Sequence, residues 1–167
     1  AHLDLRRQFE EGSSDKVYLA IVRGPVPGDS GSINLPMREA HASAVRIKMA
    51  VAEDGQKART DWRLLEQVGP YSLLECRLFT GRQHQIRLHL ASIGLPLVGD
   101  KLYGPDEQLF IRAADGELTA EDYELLELPR QALHHHVIGF DHPQGGERVT
   151  VRSPLPEDLR QFFDKNR

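Results

Sequence analysis

The chain has 167 residues, of which 40% are hydrophobic and 28% are charged, and its formal net charge at pH 7 is −4. This composition is typical of a soluble globular protein, and no apolar run approaches the roughly 20 residues that a membrane-spanning helix needs. The one cysteine, Cys76, excludes an internal disulfide and fits a reducing compartment, so we expect a cytoplasmic protein with a buried thiol. A pI near 6.1 argues against broad, non-specific binding of nucleic acid, but it is compatible with a local basic cleft.

The first half of the chain predicts a short helix followed by antiparallel strands. Leu5 and Phe9 recur at helical spacing, and Gly12 can end that helix. The connections between the later apolar segments are short, as at Gly69-Pro70, which favours antiparallel neighbours. Strands are predicted at residues 16–24, 44–51, 58–68 and 71–79, and residues 26–36 are predicted to be rich in turns.

The hydrophobic period changes to that of a helix after residue 80. Ile86, Leu90 and Ile93 recur at helical spacing and Gly94 is suited to a helix C-terminus, which predicts a helix that begins at Thr80 or Gly81. The remaining predictions are an acidic loop with a possible helical turn over residues 105–128, strands at 132–140 and 148–154, and a helix at 156–165. The expected fold is α+β, with a mixed, mostly antiparallel sheet and a few flanking helices, in a single domain over residues 1–167.

Charge is distributed unevenly along this second half. Residues 76–99 contain no acid, whereas residues 106–127 contain eight acids and a single base. The predicted helix start carries Arg82 and His84, with Arg87 one turn later. The amino end of a helix has unpaired N–H groups and a partial positive charge, so this segment predicts an anion site for a phosphate or a carboxylate. A solvated helix start, with arginines for solubility, is an equally good interpretation of the composition.

The order of residues distinguishes these interpretations. The segment TGRQHQIRLHLASIGLPLVGDKLYG, residues 80–104, resembles a motif of the RluA-type pseudouridine synthases, which modify uridines in ribosomal and transfer RNA. The resemblance extends to KVYLAIVRG and GQKARTDWRLLE upstream, and to RQALHHHVIGFDHP and SPLPEDL downstream, so it covers nearly the whole chain. It implies the catalytic-domain fold of that family, isomerisation of uridine in structured rRNA or tRNA, and no metal or organic cofactor. We also expect a monomer that does not bind membranes.

The resemblance also implies roles for individual residues. The basic residue that pairs with the family's catalytic aspartate falls on Arg87, and the tyrosine that stacks on the uracil ring falls on Tyr18. An arginine keeps a neighbouring carboxylate ionised, and an aromatic ring can hold a base that has left its stack. Positions of the motif that line the RNA cleft, where contact with RNA is expected, fall on Lys16, Arg82, His84 and Gln85.

Each assignment has a structural alternative. A tyrosine in a strand more often packs in a core, and Arg87 could form a structural ion pair. The run His134–His136 could suggest a metal site, but successive strand residues face opposite sides and no acid or cysteine cluster accompanies them, so we expect no metal. The family usually has Leu-His-Ala here, so His135 replaces a small residue. The acidic segment is expected to be a solvated insertion that avoids RNA phosphates, with partner binding as the alternative.

The sequence departs from the family at its signature, an Arg-Leu-Asp followed by Thr-Ser-Gly, which carries the catalytic aspartate. His-Leu-Asp-Leu at residues 2–5 is superficially similar, but no Thr-Ser-Gly follows, so we do not assign Asp4 as catalytic. Two interpretations remain open. The chain is a piece of a longer enzyme, incomplete at its N-terminus, as Ala1 in place of Met favours, or it is a short, non-catalytic RNA-binding module that has lost the motif.

Overall fold

The computed structural model describes residues 2–11 and 14–167, and these residues form five helices and eight strands. Gly12, the predicted end of the first helix, lies outside the described residues. The elements in chain order are α1 (His2–Glu11), β1 (Asp15–Arg23), β2 (Ser30–Ile33), β3 (Met37–Glu39), β4 (Met49–Val51), β5 (Thr60–Val68), β6 (Tyr71–Leu78), α2 (Gln85–Ser92), α3 (Gln108–Asp115), α4 (Ala120–Leu126), β7 (Leu133–Asp141), β8 (Arg148–Arg152) and α5 (Glu157–Lys165).

A six-stranded sheet, ordered β2-β5-β6-β1-β7-β8, forms the centre of the molecule, and β3 and β4 form a separate hairpin. Every neighbouring pair in both sheets is antiparallel, which confirms the predicted α+β class. Strand β1 is hydrogen-bonded to β6 on one side and to β7 on the other. Residues of β1 are therefore flanked on both sides by backbone that the sheet holds in place.

The two faces of the sheet carry different helices, and alternation along β1 assigns its residues to one face or the other. Leu19 and Ile21 belong to a buried cluster that includes Phe163 of α5. Ala20 and Val22 belong to a second cluster that includes residues of α2, and the ring of Tyr18 packs against it. Tyr18 thus lies on the face of the sheet that α2 covers. The described residues include no helix that is both long and apolar enough to span a bilayer.

The structure differs from two predictions in the first half of the chain. The alternating segment 44–51 forms a strand only at Met49–Val51, because a turn closed by Lys48 N–H and the Val45 carbonyl precedes it. The segment 26–36, predicted to be rich in turns, also contains the four-residue strand β2. Gly31 of that strand lies flat against Trp62, and a Cβ added there would be 2.7 Å from the ring, so glycine permits the pairing with β5.

The acidic segment 105–128 is also not a loop, because it contains α3 and α4. Thr119 and Asp122 form a capping box in which each side chain accepts a hydrogen bond from the other's backbone N–H. Arg112 of α3 donates to both carboxylate oxygens of the same Asp122, at 2.7 and 2.8 Å. Polar residues that look like loop formers in the sequence therefore serve as a cap and as a tie between two helices.

Candidate active site

Arg87 and Asp100 form the most buried ion pair of the described residues. Arg87 Nε and Nη2 donate to the two oxygens of Asp100 at 2.7 and 2.8 Å, and the Asp100 side chain is fully buried. The backbone N–H groups of Leu102 and Tyr103 also donate to this carboxylate, both at 2.9 Å. Burial alone would raise the pKa of Asp100, but the guanidinium and the two amides outweigh it and hold the pKa below its ordinary value. The pair is therefore ionised.

The pair leaves part of the guanidinium unused. The guanidinium carbon of Arg87 lies 5.0 Å from the centre of the Tyr103 ring. Its Nη1 group makes no hydrogen bond within residues 2–11 and 14–167. The Arg87 side chain is 12% exposed to solvent. Arg87 therefore does form the structural ion pair considered above. The Nη1 group of its guanidinium remains available to a second acceptor.

His84 is attached to this pair through Tyr103. The N–H of Met49 donates to the Tyr103 hydroxyl at 2.8 Å, so the hydroxyl proton is available to His84 Nδ1, 3.0 Å away. Burial, and then the charge of Arg87, lower the pKa of His84, which favours the neutral ring. Its φ of 57° is left-handed, which is uncommon for a residue other than glycine. This conformation ends the turn 80–84 and starts α2 at Gln85.

The side-chain amide of Gln85 holds that turn against β5. Its Oε1 accepts from the Thr80 hydroxyl at 2.7 Å and from Arg82 N–H at 3.1 Å. Its Nε2 donates to the Arg59 carbonyl at 2.9 Å and to Thr60 Oγ1 at 3.0 Å. Gln85 is only 2% exposed. All its hydrogen-bonding groups are used internally, which explains why the helix begins at Gln85 and not at the predicted Thr80 or Gly81.

His89, one turn after Gln85, extends the same network and was not singled out by the sequence. The Thr60 hydroxyl lies 2.9 Å from His89 Nδ1, and His89 Nε2 lies 2.9 Å from the Leu35 carbonyl. Because a carbonyl only accepts, Nε2 carries the proton and Nδ1 accepts from Thr60. Burial lowers the pKa of this fully buried histidine, against the opposite effect of the Leu35 carbonyl. Its spacing of four residues from Gln85 is the signal that could have indicated it.

Lys16 and Tyr18 form a second group, on β1. Lys16 is 8% exposed and its Nζ donates to the Phe9 carbonyl at 3.3 Å, and burial lowers its pKa. A Cβ added to Gly81 would be 3.4 Å from Lys16 Nζ, so the turn 80–84 lies over this lysine. The ring of Tyr18 stacks on that of His135 with 4.3 Å between centroids and 7° between planes. Burial raises the pKa of Tyr18, which keeps the phenol protonated.

The turn 80–84 therefore joins the two groups, with Arg87 and His84 at one end and Lys16 beneath it. Arg82 is exposed on this turn, and its Nε contacts the Lys57 carbonyl at 3.4 Å. No hydrogen bond, ion pair or ring contact joins Tyr18 to Arg87 in the part of the chain that the structure describes. What the two groups share is the face of the sheet that α2 covers.

The three consecutive histidines do not form a metal site in the described residues, which contain no cluster of three or more side chains able to hold a metal ion. His134 Nε2 and His136 Nδ1 instead lie 3.2 and 2.6 Å from the same acceptor, the Ser153 carbonyl. These two rings thus reach the same carbonyl, as the predicted alternation requires, whereas His135 lies on Tyr18. Cys76 is fully buried and burial raises its pKa to about 12, so the thiol is inert, as predicted.

Comparison with known proteins agrees with this geometry. A family model described as RNA pseudouridylate synthase matches residues 1–92. The chain belongs to the RNA pseudouridylate synthase family, and the resemblance seen in the sequence is confirmed. It is 36% identical over 167 residues to an uncharacterized RNA pseudouridine synthase, YlyB, of Bacillus subtilis, covering 100% of this chain and 49% of the relative. It is 40% identical over 159 residues to the ribosomal large subunit pseudouridine synthase D of Nitrosomonas europaea, covering 95% and 43%.

Solved structures give the same result for the fold. Human RNA pseudouridylate synthase domain containing 1 superposes with a TM-score of 0.71 at 26% identity, over 90% of this chain and 58% of that one. The chain spans about half the length of the curated relatives that it matches.

Proposed function

We propose that the protein to which this chain belongs isomerises uridine to pseudouridine in a structured RNA. The observation that carries the proposal is the fixed Arg87, whose Asp100 pair orients the guanidinium while Nη1 stays free of hydrogen bonds to the described residues. A second carboxylate placed on Nη1 would be held ionised by it. The reaction breaks the N1–C1′ bond, turns the base and joins C5 to C1′, so no cofactor has to supply atoms or electrons.

The roles proposed for the other residues follow from their positions. Tyr18 holds the flipped base by stacking, because its ring is only partly buried where it packs against the core cluster, and its phenol stays protonated. Arg82 and Lys16 contact phosphates, and His84 contacts the RNA through its ring. Gln85, whose amide is fully used inside the protein, acts by holding the turn that presents Arg82.

The substrate class and setting are part of the same proposal. Relatives that are named for the large ribosomal subunit favour ribosomal over transfer RNA. We further propose a cytoplasmic monomer with one catalytic domain, whose catalytic aspartate lies in a part of the protein outside this sequence. The alternative, a non-catalytic RNA-binding module, is favoured by one observation, which is that the sequence lacks the Arg-Leu-Asp and Thr-Ser-Gly signature.

The role of Arg87 is tested by Arg87→Lys in the full-length protein. Lysine keeps the charge beside Asp100 but loses the forked geometry, so we expect pseudouridine formation in a ribosomal RNA fragment to fall at least about 100-fold. Arg130→Lys is the matched control, since Arg130 makes the same two-pronged pair with Asp158, at 2.8 and 2.9 Å. Nucleoside analysis of the RNA after a single turnover measures both. Wild-type turnover by Arg87→Lys would remove the proposed role.

The choice between enzyme and binding module depends on the length of the natural protein. We expect the intact mass of the protein, as its own cell makes it, to lie well above the 18.9 kDa of this chain. The missing signature should then be found in the additional sequence. A natural mass of 18.9 kDa, together with RNA binding and no base isomerisation, would establish the binding module instead.

A further inference from the structure

His135 takes a position on Tyr18 that a base could take. The register of β1 and β7 pairs the two residues, with a shift between Val17 and Tyr18 that leaves His136 unpaired. Their rings are parallel to within 7° and 4.3 Å apart at the centroids. This is the geometry in which a flat heterocycle stacks on a tyrosine. An imidazole therefore covers one face of the ring to which the proposed function assigns the target uracil.

The side of the Tyr18 ring that faces β6 offers no second position for a stacked base. On that side its partner in the sheet is Cys76 of β6, which is fully buried. Cys76 belongs to the core cluster that contains Trp62 and Leu74, and Tyr18 packs against this cluster. The flank toward β6 is thus closed by core side chains. Approach to the ring is left to the flank toward β7, where His135 lies.

Few polar contacts fix His135 in this position. Its Nε2 is buried and has no hydrogen-bond partner among the described residues, whereas its neighbours His134 and His136 both contact the Ser153 carbonyl. A buried nitrogen without a partner is unfavourable, and outward rotation of the ring would hydrate it. Burial lowers the pKa of His135, against the opposite effect of a backbone hydrogen bond with Val137, so the ring is neutral and no ion pair resists the movement. The stacked position is therefore held by the contact with the Tyr18 ring and by that backbone hydrogen bond.

We propose that His135 is a stacking gate: its ring occupies the base-binding face of Tyr18 in the free protein, and the target base must displace it to bind. The proposal rests on the function proposed above, because Tyr18 is taken as the residue that stacks on the base. Binding to a minor open state is weakened by the fraction of molecules that are open. His135 thus lowers affinity for RNA, and a small residue at this position would have no such effect.

The gate predicts that removal of the His135 side chain strengthens RNA binding instead of weakening it. In the full-length protein, His135→Ala should bind a ribosomal RNA fragment about three- to tenfold more tightly than wild type, the equivalent of one aromatic stack. KM should fall by the same factor while kcat is unchanged. His135→Phe keeps the stack but removes the unpartnered nitrogen, so it should bind more weakly than wild type. His134→Ala, on the other face of β7, is the matched control and should leave Kd unchanged.

Nuclear magnetic resonance follows the gate in the wild-type protein without any substitution. The ring protons of His135 should be shifted upfield by Tyr18 in the free protein and should lose that shift when the RNA fragment binds. Equal or weaker binding by His135→Ala, or a shift that RNA does not change, would make His135 a structural support and overturn the proposal. The test distinguishes failure of the gate from failure of the proposed function. A wild-type protein that forms no pseudouridine rejects the proposed function. An active wild-type protein whose His135→Ala variant gains no affinity for RNA rejects only the gate.

Discussion

The side chain of Gln85 is held by a complete set of hydrogen bonds. One amide joins Thr80, Arg82, Thr60 of β5 and Arg59 just before that strand, and it lies in a closed network with Thr60 and His89. The cost of such an arrangement appears when one member is removed, because its partners are then left without hydrogen bonds. The geometry of the turn 80–84 is therefore tied to the stability of the whole chain.

Gln85→Leu should reduce the free energy of unfolding by about 1–3 kcal/mol, since buried partners of the amide lose their hydrogen bonds. Gln83→Leu is the control, because Gln83 is exposed on the same turn and makes one long contact, 3.4 Å, to the Ile47 carbonyl. Urea denaturation monitored by circular dichroism compares the two. Equal stability of both variants would show that the network contributes nothing measurable.

The contacts of individual residues were predicted only in part from the sequence. The partner of Arg87 was missed, although Asp100 is the first acid after a run of 24 residues that contains none, which was a usable signal. The contacts of Gln85 could not be predicted, because Arg59 and Thr60 lie some 25 residues upstream and reach it only after β5 and β6 have paired. Short-range patterns carry no information about such contacts.

At the scale of elements, the five longer strands of the central sheet and α5 agree with their hydrophobic periods, whereas the segment of β2 was predicted to be rich in turns and that of α3 and α4 to be a loop. The difference has a physical cause. Apolar alternation is a direct consequence of burial on one face, but α3 and α4 are short, and they depend on the capping box of α4 and on the Arg112–Asp122 pair that joins the two helices. A pattern of hydrophobicity does not register stabilisation of that kind.

Asp122→Ala should therefore destabilise the protein by about 1–2 kcal/mol, because it removes a helix cap together with the partner of Arg112. Asp115→Ala, an exposed acid at the end of α3, removes the same charge without those contacts and should have little effect. Thermal denaturation of the two variants gives the comparison. A melting temperature of Asp122→Ala equal to that of Asp115→Ala would contradict the structural role.

At the scale of the whole molecule, three histidines respond to pH in the same direction. Burial lowers the pKa of His84, His89 and His135 in the folded state, relative to an ordinary value of 6.5. As pH falls below 6.5, the unfolded chain takes up protons on these rings before the folded protein does. Stability is therefore full above pH 6.5 and is lost as pH falls through the lowered values.

We expect the free energy of unfolding, measured by urea denaturation between pH 5 and pH 8, to rise with pH and to level off near neutrality. His89→Gln should reduce the slope of this free energy with pH, because it removes one of the three histidines that take up a proton on unfolding. His41→Gln, at an exposed position, is the control and should leave the slope unchanged. A flat profile for the wild type would mean that the three rings titrate alike in the folded and unfolded states.

The central position of β1 has a consequence for the proposed function. Exposing the backbone of Tyr18 requires separation from both β6 and β7, so this strand should be among the slowest in the chain to exchange its amide hydrogens. If Tyr18 stacks on the target base as proposed, β1 would not carry it to a base that remains inside a helix. The RNA would then have to deliver an unstacked nucleotide to a fixed surface, and the time that a base spends outside its own stack would govern how often a productive encounter occurs.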